Sequence, residues 1–197
     1  MDTNTLLTRL KNKGIVTTKE LTKHKISEAT LSRLVKSGQL ERLTKGLYIH
    51  PESTAIKPED FDFIFACTKF GRASVIGGIT ALFHYDLIEQ VPTQIWVIVK
   101  KGTRTKDKRF RLIPMDKINR EGIIQNKNYR ITSIERTIVE AFVYANRIGL
   151  RTAIEAITRA IKRKLTTINK ISNIARKMKQ EKALIKNWEA ITGAISA

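Results

Sequence analysis

Between Ile26 and Gly38 the start, buried face and end of a helix are all written in the residues. Ser27 offers a hydroxyl to cap free backbone N–H groups. Ile26 before it and Leu31 at the fourth helical position have the spacing of a hydrophobic staple, and Gly38 ends the helix. Leu31, Leu34 and Val35 form the stripe to be buried, which leaves Ala29, Ser32, Arg33 and Lys36 on the opposite face. Small and basic side chains there let a helix enter the major groove closely and meet phosphate or guanine edges. A merely solvated helix face would have the same composition.

The flanking residues narrow the choice. A helix from Thr3 or Asn4 presents Leu6, Leu7 and Leu10, and Gly14 closes it. Ile15-Val16 is extended, and Thr17-Thr18-Lys19-Glu20 has capping-box spacing for a second helix that carries Leu21 and ends near His24. After Gly38, residues 39–49 read as two strands around Thr44-Lys45-Gly46, where the glycine supplies the positive φ of a tight turn. Three helices followed by a hairpin with a basic tip is the order of a winged helix-turn-helix. In it Ser27, Ala29, Ser32, Arg33 and Lys36 face DNA, and Arg42, Thr44 and Lys45 bring the wing to the sugar-phosphate backbone. A winged helix used only for protein contacts stays open at this point.

Charge favours a polyanion. The chain of 197 residues has a formal net charge of +19, and residues 1–50 hold ten Lys and Arg against four Asp and Glu. A chain so far from neutrality repels itself unless an anion such as nucleic acid sits nearby. Cys67 is the lone cysteine, which excludes an intramolecular disulfide and a cysteine-rich zinc site. It lies in an apolar stretch and reads as a buried thiol. The polar N-terminus lacks a signal-peptide core and no apolar run is long enough to span a bilayer, so the expected location is the cytoplasm, with no membrane partner.

The segment 51–58, bracketed by Pro51 and Pro58, is the expected linker between a domain at 1–50 and a larger one at 59–197. Pro58 suits the first turn of a helix that buries Phe61, Ile64 and Phe65 and stops at Gly71. A short strand then runs through Gly77-Gly78 into a helix. That spacing fits neither a P-loop nor a dinucleotide fingerprint, so close backbone packing is the expected use of the glycines. Residues 95–99 are the strongest strand. They open onto the densest charge run: Lys100, Lys101, Arg104, Lys106, Lys108, Arg109 and Arg111, expected as a basic loop between two strands. Further strands are expected around 122–124 and 129–131, and Thr132-Ser133-Ile134-Glu135 again has capping-box spacing. Two amphipathic helices follow. Leu150, Ala153, Ile154, Ile157, Ile161 and Leu165 line the first, and Ile168, Ile171, Ile174, Ala175 and Met178 line the second. Arg159, Lys162 and Arg163 sit on their outer surface, and Trp188 and Ile191 mark a last helix folding back. The fold class is therefore α+β: an N-terminal winged helix-turn-helix, then a larger mixed α/β domain with a small sheet and a C-terminal helical bundle.

Catalysis needs converging acids, bases, nucleophiles or metal ligands. His24, His50 and His84 are scattered, and no metal-binding or nucleophile motif is present. Arg136 and Glu140, four apart on a helix, read as a structural ion pair. No catalytic residue, metal or cofactor is expected. A metal-dependent nuclease with dispersed acids is the enzyme alternative.

Three segments together resemble AbiEi-type antitoxins of type IV toxin–antitoxin (abortive infection) systems. They are Ile15–Leu21 through Leu31–Gly38 to Arg42–Tyr48; Ile76-Gly77-Gly78-Ile79-Thr80-Ala81-Leu82 leading to Ile95–Val99; and Ile131-Thr132-Ser133-Ile134-Glu135-Arg136-Thr137-Ile138-Val139-Glu140. The resemblance implies that the first domain binds inverted repeats in its own promoter and represses its operon, with two copies on the DNA; a dimer in solution does not follow from that, and a monomer or weak dimer is expected. It also implies that the second domain opposes a nucleotidyltransferase-like toxin without a stable complex. Lys100, Lys101, Arg104, Lys106, Lys108, Arg109, Arg159, Lys162 and Arg163 are the candidate antitoxic or second polyanion surface, and an RNA contact would account for their charge. A stand-alone repressor without a toxin is the other alternative.

Overall fold

The computed structural model of the chain describes residues 3–71 and 73–196, excepting the side chains of residues 3, 4, 6 and 9, so the expected burial of Leu6 lies outside the described residues. Two compact units are present, one ending at Gly71 and one made of the residues beyond it.

In the first unit, α1 (Thr3–Lys11), β1 (Val16–Thr17), α2 (Thr18–Lys23), α3 (Glu28–Lys36), β2 (Glu41–Thr44) and β3 (Leu47–Ile49) follow one another. The strands form an antiparallel sheet in the order β1-β3-β2. Leu7, Leu10, Val16, Leu21, Leu31, Leu34, Leu40 and Tyr48 make one buried cluster between the helices and this sheet. This is a winged helix-turn-helix. Residues 51–58 do not hang free of it. Lys11 Nζ pairs with Glu52 at 2.7 Å, and Ile56 packs so closely over Gly14 that a Cβ there would lie 2.9 Å from its side chain. A 3-10 turn at Pro58–Asp60 then leads into α4 (Phe61–Phe70), and both belong to the first unit rather than to the second as the linker reading expects. Ile64, Phe65, Ala66 and Cys67 are buried on α4.

The second unit runs through β4 (Val75–Ile76), α5 (Gly78–His84), β5 (Ile95–Lys100), β6 (Phe110–Met115), β7 (Ile123–Gln125) and β8 (Arg130–Thr132). It continues through α6 (Ile134–Val143), α7 (Ala145–Ile148), α8 (Leu150–Lys162), α9 (Ile168–Met178), α10 (Glu181–Ile185) and α11 (Trp188–Ser196). The sheet order is β6-β5-β4-β8-β7, mixed because β5–β6 and β4–β8 are parallel. A single core joins the sheet to α5, α6, α8, α9 and α11.

The two glycines before α5 are packing residues. A Cβ on Gly78 would stand 2.5 Å from the Trp96 ring, and one on Gly77 would stand 2.9 Å from Ile98. Thr80 completes the join to β5 by accepting the Trp96 N–H at 2.8 Å. At the start of α6 the capping differs from the expected box by one residue. Ser133 is the cap and accepts the Arg136 N–H at 3.3 Å, while Thr132 stays in β8 with its hydroxyl 2.7 Å from that of Thr137. On α8 the stripe expected from Leu150 to Leu165 is shorter at both ends, where those two leucines are exposed, and Ala156 and Ala160 are buried in its middle. Trp188 opens α11 exposed, and Ile191 anchors that helix.

Arg136 and Glu140 form a salt bridge at 2.8 Å in which both side chains are essentially inaccessible to solvent. Arg136 Nη1 also donates to the carbonyls of Asn119 at 2.6 Å and Glu121 at 2.7 Å. Burial pushes the Glu140 carboxyl above its ordinary value, against the pull of the Arg136 charge. Arg136→Met leaves that carboxyl buried alone, so the variant should lose about 3–5 kcal/mol in urea unfolding at pH 8. A carboxyl raised in the folded state favours folding below its unfolded pKa and loses that contribution as pH rises. The deficit relative to wild type should therefore shrink at pH 5. Adding Glu140→Leu should recover the larger part of the loss measured at pH 8; no recovery would show that the pair is not coupled in this way.

Candidate nucleic-acid interface

α3 is held at both ends. Ser27 Oγ accepts the Thr30 N–H at 3.1 Å and lies 3.0 Å from the Thr30 hydroxyl. At the other end Gly38 has φ +73° and donates to Val35 O, while Gln39 donates to Leu34 O, the two bonds of a Schellman end. Ile26 and Leu31 are both buried, as the staple requires. Before it, α2 is fixed by the full capping box: Thr17 accepts the Glu20 N–H at 3.2 Å, and Glu20 Oε2 accepts the Thr17 N–H at 2.9 Å. The helix pair is thus positioned by short-range chemistry plus one apolar cluster.

The wing is a two-residue turn, Lys45-Gly46, between Thr44 and its register partner Leu47. Gly46 has φ +81° and its carbonyl accepts the Thr18 N–H at 2.9 Å, which ties the wing to the start of α2. Between α3 and the wing lies an open groove of about 660 Å³ whose lining includes Glu28, Ser32, Lys36, Arg42 and Lys45. The structure therefore brings Ser32, Lys36, Arg42 and Lys45 together across one groove. Ala29 and Arg33 are exposed on α3 beside it but do not line it. Thr44 is half-buried in the hairpin, and the oxygen of Ser27 is engaged in the cap. Glu28, Thr18 and Tyr48 also line the groove, and sequence reasoning misses them. The helical offset from Glu28 to Ser32 to Lys36 is the signal that could have found the first.

The second set of cations is arranged differently from a basic loop at one place. β5 and β6 are parallel, with Ile95 opposite Phe110 and Lys100 opposite Met115. Residues 101–109 therefore return the whole length of the strands. Lys100 and Lys101 lie at one end of the pair and Arg109 at the other, roughly 16 Å apart at ~3.3 Å per residue. Arg109 is held by Asp107 at 2.9 Å and Lys101 by Asp116 at 2.9 Å. Arg159 contacts Glu89 at 2.9 Å and Glu155 at 3.2 Å, and Arg163 contacts Asp86 at 2.7 Å. These two arginines clamp α8 to the segment after α5. Lys100, Arg104, Lys106, Lys108 and Lys162 are exposed, with no ion pair among the described residues.

Among the described residues no group of three His, Cys, Asp or Glu side chains is placed to hold a metal, and no helix is long and apolar enough to cross a membrane. The fold and the groove define a winged helix-turn-helix unit with basic side chains on its helix-and-wing face. Residues 4–50 match the model of a family described as transcriptional regulator, AbiEi antitoxin. A protein from Mycobacterium tuberculosis, RV2827C, shares the fold. It is 13% identical with a TM-score of 0.55, over 90% of this chain and 75% of that one. A comparison with curated proteins gave no match.

Because Ser27 caps α3, Ser27→Ala should cost about 1 kcal/mol in urea unfolding of the first unit, whereas Ser27→Asn should be close to neutral. Equal losses in the two variants would mean that the hydroxyl acts elsewhere.

Proposed function

We propose that the protein is the antitoxin of a type IV toxin–antitoxin system that represses its own operon. In this reading α3 enters the major groove of promoter DNA, with Ser32, Arg33 and Lys36 toward the bases and phosphates and Ala29 allowing close approach. Arg42 and Lys45 of the wing meet the adjacent backbone. Ser27 and Thr44 support these contacts from the cap and the hairpin. Two copies occupy an inverted repeat and are a monomer or weak dimer when free. The second unit opposes a nucleotidyltransferase-like toxin without a stable complex and without catalysis of its own. The observation that carries the reading is the groove between α3 and the wing, lined by Ser32, Lys36, Arg42 and Lys45, inside the residues that match the regulator family.

Mobility shift on the chain's own upstream DNA, with unrelated duplex as competitor, tests the first half. Wild type should be retained on the upstream fragment at physiological salt. Arg33→Ala/Lys36→Ala should bind it at least tenfold more weakly, at about 1–3 kcal/mol for a good base contact. Equal binding of both proteins to any duplex would reduce the winged helix to a scaffold. For the second half, neutralisation of the co-expressed toxin should survive in that double variant. It should be lost on charge reversal at Lys100, Lys101 and Arg104, and unchanged neutralisation would remove those residues from the account.

A further inference from the structure

The positive charge of the chain is not concentrated where the winged helix is. Residues 1–71 hold twelve Lys and Arg against eight Asp and Glu; residues 72–197 hold twenty-five against ten. Most of the net +19 therefore belongs to the second unit.

Three segments far apart in sequence bring part of that charge to one end of the unit. Lys100 ends β5 opposite Met115, and Lys101 donates its N–H to the Met115 carbonyl at 2.8 Å. The loop after β6 then carries Lys117 and Arg120, both exposed. That loop meets the end of α9: Asn119 Nδ2 donates to the Lys177 carbonyl at 3.5 Å, and Lys177 Nζ lies 3.6 Å from Glu121. Lys179 follows in a left-handed conformation, φ +58°, at the helix C-cap. Arg136 holds the same loop from inside through the Asn119 and Glu121 carbonyls. The cations at this end are thus presented by a pinned loop, a strand end and a helix end. Asp116 and Glu121 are the acids that face them, paired with Lys101 and Lys177. Lys100, Lys117, Arg120 and Lys179 are exposed, with no ion pair among the described residues.

We propose that this end of the second unit binds the phosphodiester backbone of a duplex or folded nucleic acid, through Lys100, Lys117, Arg120 and Lys179. Cations on a fixed framework neutralise phosphates without reading bases. Residues 100–101, 116–121 and 177–180, which supply these cations, include no Phe, Trp or Tyr, and a single strand would need one to stack its bases. The proposal deepens the second unit's role given above, but its readout is direct binding, so it stands or falls apart from operator recognition and toxin neutralisation.

The test uses the full chain in fluorescence anisotropy, with a scrambled duplex of about 30 base pairs and a folded RNA hairpin as probes at ~50 to ~200 mM salt. The variant is Lys100→Ala/Lys117→Ala/Arg120→Ala/Lys179→Gly, the glycine chosen because the left-handed backbone accepts it. All four sites are exposed, so its unfolding midpoint should match wild type. Affinity for at least one probe should fall about tenfold or more at low salt, with a log–log salt slope flatter by about 3. Loss on both probes assigns a general backbone surface, and loss on the hairpin alone assigns an RNA surface. Unchanged affinity and slope on both probes overturn the proposal. Arg33→Ala/Lys36→Ala runs alongside and should keep the second unit's share of the salt slope.

Discussion

The second unit is organised around the buried contact between Arg136 and Glu140. A charge pair out of water is tolerable only if its remaining polar atoms are satisfied and its neighbours leave it room. Arg136 meets the first need in part, its Nη1 donating to two loop carbonyls beyond β6. The second need fixes glycines elsewhere in the chain. A Cβ on Gly122 would lie 2.7 Å from Arg136 Cβ, and one on Gly77 would lie 3.4 Å from Glu140 Oε2. The strand-to-helix segment at 76–82, the loop at 119–122 and the first turns of α6 are thus one packing problem. This explains why two of the sequence blocks that carry the resemblance look like motifs while offering no set of catalytic groups. They encode the fit of a helix pair around a buried ion pair. Among the described residues Arg136 Nη2 and Glu140 Oε2 have no hydrogen-bond partner. The pair is therefore a weak source of stability and a strong constraint on geometry.

The winged helix was legible in the sequence because its determinants are local. The Thr17–Glu20 box, the Ile26–Leu31 staple and the Gly46 turn each act over a few residues, and each is found where the spacing puts it. The groove was legible only in part. A helical wheel separates the buried stripe from the open face, but it does not say which half of the open face meets the wing. That depends on where β2 and β3 pack, and the packing turns the groove toward Glu28, Ser32 and Lys36 and leaves Arg33 at its side. In the second unit the strands were recognisable while their pairing was not. Nothing in residues 100–111 says that β5 and β6 run parallel, because strand direction is set by the partner and not by propensity. The basic run therefore reads as one loop and is a strap joining opposite ends of two strands. The ion pairs of Arg159 and Arg163 were hidden for a similar reason, since their acids Glu89 and Asp86 lie 70 and 77 residues earlier.

The division of charge between the units matches the two roles proposed for them. Sequence readout needs a few side chains at fixed positions against base edges, and a surplus of cations there would bind every duplex alike. The first unit suits such readout, because its groove carries Lys36, Arg42 and Lys45 against Glu28, a modest balance that leaves room for discrimination. Attraction to a polyanion, in contrast, scales with the number of phosphates neutralised and asks little of geometry. The second unit holds the larger charge surplus. There the acids Asp86, Glu89 and Asp107 tie down Arg163, Arg159 and Arg109, while the strand end, pinned loop and helix end keep their cations exposed. Arg159 and Arg163 fasten α8 to the segment after α5, whereas Lys100, Lys117, Arg120 and Lys179 stand exposed. The buried Arg136 connects the two uses, because the loop it grips from within is the one that carries Arg120 outward.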